Sequence, residues 1–341
     1  MRPAAGPLLL LAIALPAHAA AGTPPAQSAI LRLHAAVVAP QHVSFVGQVQ
    51  LLEIGSHGSE ASIFRVEHRA PDLTRRWYIA PRNLHGDSTV SRADTVYAID
   101  VARHQIVVTQ NEAFGIHFGW ERNFGLLTQN YRPVSEPSQI VAGRPVEVVR
   151  LVNRYSGATT MRVWIDESTN LMLRREVYAA DGSIMLQMHF DSVRFTNDLP
   201  PSTFALPTGY RLVTGPSRGA ATDNPYAVIS RSGFTPHAPH YLPEGFVAVG
   251  ADLADEKGVH ILHLLYSDGL RTVSLFENAK GAAVDTSGYR TERLRVGNLT
   301  VEAVDQGATT LLAWSDGHLH YALVGDLGGD ELQKIAASIT P

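Results

Sequence analysis

The feature that most constrains the fold of this chain is an alternation of apolar and polar residues that recurs between residues 43 and 206. In VSFVGQVQL, Phe45, Val49 and Leu51 alternate with polar residues, and TTMRVWID and IMLQMHFDSVRF repeat the pattern. Because successive side chains of a strand point to opposite faces, a period of two predicts antiparallel strands with one buried face. The Asp-Gly pair in AADGS, residues 179–183, predicts a hairpin turn between two of them. We therefore predict a long antiparallel meander, which makes the fold mainly β.

Two segments of the first domain depart from the strand pattern. PPAQSAILRLHAAVV places Ile30, Leu33 and Val37 at helical spacing behind Ser28, a candidate N-cap, and so predicts an amphipathic helix. Residues 111–127 concentrate large apolar side chains around a predicted short helix. This aromatic segment either covers the apolar face of the sheet within an ordinary packed core or forms the rim of a lipid cavity. In a cavity, each buried methylene of an acyl chain would contribute about 0.8 kcal/mol. The residues predicted to line such a cavity are Phe45, Phe114, Phe118, Trp120, Phe124, Met188 and Phe190.

A change of composition divides the chain after the meander. Residues 209–240 are rich in Gly, Pro, Ser, Thr and Ala, and their prolines predict a linker without regular elements. Residues 241–341 contain six further predicted strands and end in GDELQKIAASI, where Leu332, Ile335 and Ile339 form one apolar stripe. We therefore predict a smaller α+β domain after the linker.

The first 21 residues are typical of a cleaved signal peptide. They contain one Arg, an apolar run from Leu8 to Leu15 and an Ala-His-Ala site that ends at Ala19. The run is too short to cross a hydrocarbon core of ~30 Å. We predict that residues 1–21 are removed, that residues 22–208 form the first domain, and that the protein is exported to the periplasm or the cell exterior.

Composition argues against several other classes of protein. The chain has 28 basic and 32 acidic residues, a net charge of −4, so it lacks the concentrated positive charge of nucleic-acid-binding proteins. It has no cysteine, so an exported form is stabilised without disulfides. With 341 residues, of which 45% are hydrophobic, two domains can each form a core.

Two serine-containing motifs are candidates for reactive sites. Ser-Asp-Gly occurs at residues 267–269 and 315–317, each time between apolar strands. We interpret both as two-residue turns in which Asp and Gly take positive φ, since no base can be placed beside the serine. GPSRG around Ser217 matches the pattern of the hydrolase elbow, but it lies in the proline-rich linker without a preceding parallel strand. We predict no catalytic residue.

Several histidines are candidate metal ligands. His318 and His320 would lie on one face of a strand, and His260 and His263 on another, where they could share a zinc ion. No HExxH motif and no cysteine supports such a site. We predict neither a metal nor a cofactor.

Several stretches resemble the MucB/RseB family. LYSDGLRTVSLF (265–276) is similar to a hairpin of the family, and GDLGGDELQKIAASI (325–339) to its closing loop and helix. YLPEGFVAV (241–249) resembles the entry to the family's second domain, and IVAGRPVEVVRL with the strands after it resembles the first domain. The wider LolA/LppX superfamily of lipid carriers shares this first-domain pattern. The resemblance implies an unclosed antiparallel half-barrel with a helical plug, followed by a smaller α+β domain.

The resemblance also implies a function. The family consists of periplasmic regulators of the sigma-E-type envelope stress response, so the chain would be a negative regulator of a sigma factor. It would bind the periplasmic tail of a membrane anti-sigma factor and shield it from proteolysis until a lipid or lipopolysaccharide fragment entered the half-barrel. The partner-binding residues would then be Tyr266, Ser267, Asp268, Gly269 and Leu270. The alternative is a soluble periplasmic carrier of lipids or lipoproteins without a signalling partner.

Overall fold

The structure, a computed structural model, describes residues 25–339 apart from 56–57, 94, 111–119, 215–216, 219–224, 257, 280–283, 285, 287–288 and 307–308. The helices are α1 Pro25–Val38, α2 Trp120–Asn130, α3 Pro225–Ile229 and α4 Gly329–Ala337. The first strands are β1 Phe45–Gly55, β2 Gly58–Arg69, β3 Leu73–Ala80, β4 Ser88–Arg92, β5 Thr95–Asp100, β6 Gln105–Gln110, β7 Tyr131–Val141, β8 Arg144–Asn153, β9 Thr159–Asp166, β10 Met172–Tyr178, β11 Ile184–Phe195 and β12 Arg211–Thr214. The later strands are β13 Ser217–Arg218, β14 Val247–Glu256, β15 Val259–Ser267, β16 Thr272–Asn278, β17 Thr291–Val296, β18 Leu299–Gln306, β19 Thr309–Ser315 and β20 His320–Gly325.

The first twelve strands form one sheet in the order β12-β6-β5-β4-β3-β2-β1-β11-β10-β9-β8-β7. Neighbouring strands are antiparallel, except that β12 runs parallel to β6. The edges β7 and β12 do not pair with each other, so the sheet stays open. The predicted unclosed antiparallel meander is confirmed, including the hairpin in which β10 pairs with β11 across residues 179–183.

Two helices cover part of this sheet. Leu33 of α1 and Leu127 of α2 are both 0% exposed, and they pack in one cluster with Val149 of β8 and Val163 of β9. These two helices form the predicted helical plug. They stabilise the domain because they remove an apolar face of the sheet from water. The start of α1 differs from the prediction: the helix begins at Pro25 rather than after Ser28. Proline suits the first helical position because its φ is already near the helical value.

The second sheet has the order β13-β14-β15-β16-β20-β19-β18-β17. Helix α4 packs on it, and Leu332, Ile335 and Ile339 join a core with Leu262 and Leu275, so the predicted stripe and α+β class are confirmed. Strand β14 is not among the strands predicted from the sequence. Its buried side chains include the small Ala251 and Ala254, so the alternation of large apolar and polar residues is weak there.

The segment 209–240, predicted to lack regular elements, contains β12, β13 and α3. Strand β12 extends the first sheet and β13 extends the second, so the two sheets follow each other closely along the chain. Residues 211–214 contain no proline, so they can form hydrogen bonds with β6. Pro225 is the first residue of α3, a position that proline favours, and so it does not interrupt the helix. The domain boundaries at 208 and 240 stay predictions. In the part of the chain that the structure describes, no helix combines the length and hydropathy needed to cross a bilayer.

Candidate functional site

The Ser267–Arg271 turn joins β15 to β16 and is held by its own side chains. The Ser267 hydroxyl donates to the Arg271 carbonyl at 2.9 Å and accepts from the Gly269 amide at 2.9 Å. The Asp268 Oδ1 accepts from the amides of Leu270 and Arg271 at 2.9 and 2.7 Å. Because the serine hydroxyl and this carboxylate oxygen are used to hold the backbone, the interpretation as turn chemistry is confirmed.

The turn is longer than predicted. The last strand pair is Ser267 with Thr272, which leaves four residues in the loop, and Gly269 takes the positive φ of 93° while Asp268 does not. The expected two-residue turn with two positive φ values is therefore wrong. The Asp268 side chain replaces the missing turn hydrogen bonds, so the aspartate need not adopt the strained conformation.

A second turn, residues 315–319, repeats this arrangement between β19 and β20. Its Ser315 and Asp316 make the corresponding side-chain hydrogen bonds, and Gly317 also has a φ of 93°. The two turns differ in their surroundings. A Cβ added at Gly317 would have no heavy atom within 4 Å, whereas one at Gly269 would lie 2.2 Å from the Leu127 amide nitrogen of α2.

The Ser267–Arg271 turn is thus inserted into the first domain. Leu270, 8% exposed, joins the cluster that α1 and α2 form beneath the first sheet. The Asn130 side-chain amide donates to the Asp268 carbonyl at 2.9 Å, and Arg271 donates to the Tyr178 carbonyl at 3.1 Å. These contacts fix the second sheet against the end of α2 and the end of β10.

A buried tyrosine completes the junction. The Tyr131 hydroxyl donates to Asp268 Oδ2 at 2.5 Å. Tyr131 is 1% exposed and Asp268 is 3% exposed. Burial, followed by the charge of Asp268 and this hydrogen bond, raises the pKa of Tyr131 above its ordinary value. The phenol therefore remains a proton donor over the physiological pH range, and the carboxylate is never left without it.

A cleft of about 1170 Å³ lies beside this junction and is bounded by both domains. The first domain contributes Tyr131, Tyr155 and Asp181, and the second contributes residues 241–246 in part and the start of α4. Two of the lining aromatic rings are open to solvent, Tyr155 at 52% and Tyr241 at 39% exposed. The cleft is the candidate functional site because a polypeptide bound there would contact both domains at once.

The predicted partner-binding residues lie at the end of β15 and in the turn that follows it. Tyr266, Ser267, Asp268, Gly269 and Leu270 are all buried, and Asp268 lines the cleft. In the present arrangement the turn contacts the first domain instead of a partner. A partner contact through these five residues requires the junction to open, and it stays a prediction.

The residues predicted to line a lipid cavity separate into groups. Phe45 and Phe190 are 1% and 6% exposed, lie with ring centroids 5.7 Å apart, and pack in one cluster with Met188. Phe124 belongs to the other cluster, where its ring meets His34. Phe114 and Phe118 lie outside the described residues, as does the side chain of Trp120, which begins α2. The lipid cavity stays a prediction.

The structure also places the candidate catalytic serine and the candidate metal-binding histidines. Ser217 lies in β13, antiparallel to β14. The strand before it, β12, is parallel to β6 but is a short and largely exposed edge strand, whereas a hydrolase elbow follows a buried one. His320 begins β20, but His318 lies in the preceding turn, so the two rings do not share a strand face as expected. Among the described residues, no group of three or more His, Asp or Glu side chains is placed to hold a metal ion.

An open antiparallel sheet with a helical cover, joined to a smaller α+β domain, defines a two-domain protein with a cleft at its junction. Residues 44–208 match the family model of the MucB/RseB N-terminal domain. The first domain of this chain thus belongs to the MucB/RseB family, which confirms the resemblance stated from the sequence. Residues 236–339 match the model of a domain of unknown function, DUF4367.

Solved structures show the same fold across both domains. The complex of MucA and MucB from Pseudomonas aeruginosa matches with a TM-score of 0.62 and 17% identity, covering 92% of this chain and 99% of that chain. MucB in complex with MucA(peri) matches at 0.59 with 17% identity, covering 93% of this chain and 98% of that chain. A crystal structure of MucB matches at 0.54 with 16% identity, covering 94% and 99%. No curated protein sequence matches the chain significantly.

Proposed function

We propose that this protein is a periplasmic, non-enzymatic negative regulator of a sigma factor. It binds the periplasmic tail of a membrane-spanning anti-sigma factor and shields the tail from proteolysis. A lipid bound by the first domain releases the tail. The MucB/RseB match of the first domain supports this proposal, as does the likeness in fold to MucB, which has been solved in complex with MucA(peri).

The observation that carries the proposal is the cleft between the two sheets. Sites for small molecules usually have volumes of about 300 to 1000 Å³, and the 1170 Å³ here exceeds that range. Its walls come from both domains, so an extended polypeptide segment can be held along its length. Enclosure of a segment between two walls would keep a protease from reaching the backbone of that segment.

Release by a lipid requires that the lipid bind the released arrangement better than the shielding one. The Ser267–Arg271 turn offers the coupling, because Leu270 packs in the same cluster as α1 and α2 of the first domain. A ligand that displaced either helix would remove contacts from the turn and so change the cleft. This is a domain movement driven by a local change of packing.

Protection from proteolysis is the direct test. The full chain, immobilised, captures single-span proteins from native membranes, and the periplasmic segment of the captured protein is then purified and digested with and without the chain. We expect slower cleavage of the segment when the chain is present, and a return to the free rate when acyl lipid is added. Equal cleavage rates with and without the chain contradict the proposal. Stoichiometric acyl lipid in a solvent extract, without any protection, would instead favour a lipid carrier.

A further inference from the structure

The charges around the interdomain cleft are strongly unbalanced. Among the residues that the structure describes, seven carboxylate side chains and two cationic side chains line it. Both cations lie near acidic groups: Lys334 is 3.1 Å from Glu331, and the charge of Arg271 acts on the Asp326 carboxyl and opposes the rise of its pKa. The cleft therefore has a negative potential toward any molecule that enters it.

Three of the carboxylates lie on different walls and are exposed. Asp181 comes from the turn between β10 and β11 of the first sheet, Glu244 from the segment before β14, and Asp330 from the first turn of α4. Hydrogen bonds from the Ser183 side chain and amide lower the pKa of Asp181, so this group is ionised at neutral pH. The negative charge is thus presented from both domains and not from one helix end.

Two exposed tyrosines lie among these carboxylates. The Tyr241 hydroxyl donates to Glu331, and this bond, together with burial and the charges of Glu331 and Glu244, raises the pKa of Tyr241 to about 12. Tyr241 and Tyr155, which are 39% and 52% exposed, line the same space. Aromatic faces beside carboxylates are the surroundings that lysine and arginine side chains favour, through cation–π contacts and ion pairs.

We propose that the cleft binds a positively charged segment of the partner polypeptide, whose lysine or arginine side chains lie against Asp181, Glu244 and Asp330. This inference rests on the proposed function and specifies the chemistry of the tail. Screening of such contacts by salt should be strong because the three carboxylates are exposed.

The test uses a fluorescein-labelled peptide in which lysine alternates with leucine, and a second peptide with glutamate in place of lysine. The full chain should bind the lysine peptide with an affinity that falls as salt is raised, and it should not bind the glutamate peptide. The triple variant Asp181→Asn, Glu244→Gln, Asp330→Asn should weaken binding by at least about tenfold. The matched control Glu60→Gln, Glu167→Gln, Asp198→Asn removes the same charge from exposed positions outside the cleft, and it should change binding less than about twofold.

Equal weakening by the two triple variants, or equal binding of the two peptides by the unaltered chain, overturns the inference. If the cleft variant fails to fold, the salt dependence of lysine-peptide binding and the comparison with the glutamate peptide still test the inference, because both are measured on the unaltered chain. A captured tail that is protected equally by the unaltered chain and by the folded cleft variant overturns the inference while the proposed function stands. Absence of protection by the unaltered chain contradicts the proposed function itself.

Discussion

At the scale of single residues, Glu277 of β16 is the most unusual charged group of the second domain. It is 0% exposed; its Oε2 accepts from the His237 amide at 3.0 Å, and its Oε1 has no hydrogen-bond partner. The hydroxyl of Tyr321 and the carboxylate of Asp316 face the same space, joined to each other at 2.8 Å. Burial, opposed by the His237 amide and assisted by the charge of Asp316, raises the pKa of Glu277 to about 7.

This raised pKa predicts a loss of stability with rising pH. The unfolded chain ionises Glu277 near 4.5 and the folded chain near 7, so this group begins to lower the free energy of unfolding above pH 4.5 and costs its full amount above pH 7. Glu277→Gln should raise the free energy of unfolding at about pH 8 by roughly 2 to 3 kcal/mol and leave it almost unchanged at about pH 4.5. Urea unfolding at both pH values measures the difference.

The control for this prediction is Glu167→Gln, at an exposed position of the first domain. It should leave the free energy of unfolding at the two pH values within about 0.5 kcal/mol of the unaltered chain. A Glu277→Gln chain whose pH dependence matched that of the unaltered protein would show that the buried carboxyl ionises as easily as an unfolded one.

At the scale of elements, the longer strands of the first sheet could be predicted where one face is buried, and the alternation of Phe45, Val49 and Leu51 in β1 is an example. The terminal helix could be predicted for the same reason, from Leu332 and its stripe. Sequence could not reveal β12 and β13, because both are short and owe their conformation to pairing with β6 and β14. Short edge strands carry too few residues for a periodic pattern.

Helix α1 should contribute to stability through one face. Leu33 is 0% exposed within the cluster beneath the sheet, whereas Leu31, two residues earlier, is 60% exposed. Leu33→Ala should lower the free energy of unfolding by about 2 to 4 kcal/mol, because it removes a buried side chain and leaves a cavity. Leu31→Ala should change it by less than about 0.5 kcal/mol, since alanine keeps the helix propensity. Similar losses for the two variants, measured by urea unfolding, would contradict the packing described for α1.

At the scale of the whole molecule, the junction between the domains decides how the cleft is shaped. Sequence predicted the Ser-Asp-Gly turns but not where they lie, since Tyr131 and Asp268 are separated by 137 positions along the chain. The two turns are also nearly the same in sequence. Only the structure shows that Gly269 lies against α2, whereas Gly317 has no neighbouring atom on the side where a Cβ would be. The cleft itself was missed, because its carboxylates come from segments without a shared motif.

The pair of turns supplies a matched experiment on the junction. Gly269 and Gly317 have the same φ of 93°, so alanine at either position carries a similar backbone strain of about 1 to 2 kcal/mol. Only at position 269 would the added methyl also collide with the Leu127 backbone. Gly269→Ala should therefore open the junction, which would increase the radius of gyration in solution scattering and speed amide hydrogen exchange at Tyr131 and Leu270. Gly317→Ala should alter neither measurement, and the lysine peptide should lose affinity for the first variant alone. Equal radii and equal exchange in both variants would mean that the turn does not fix the domains together.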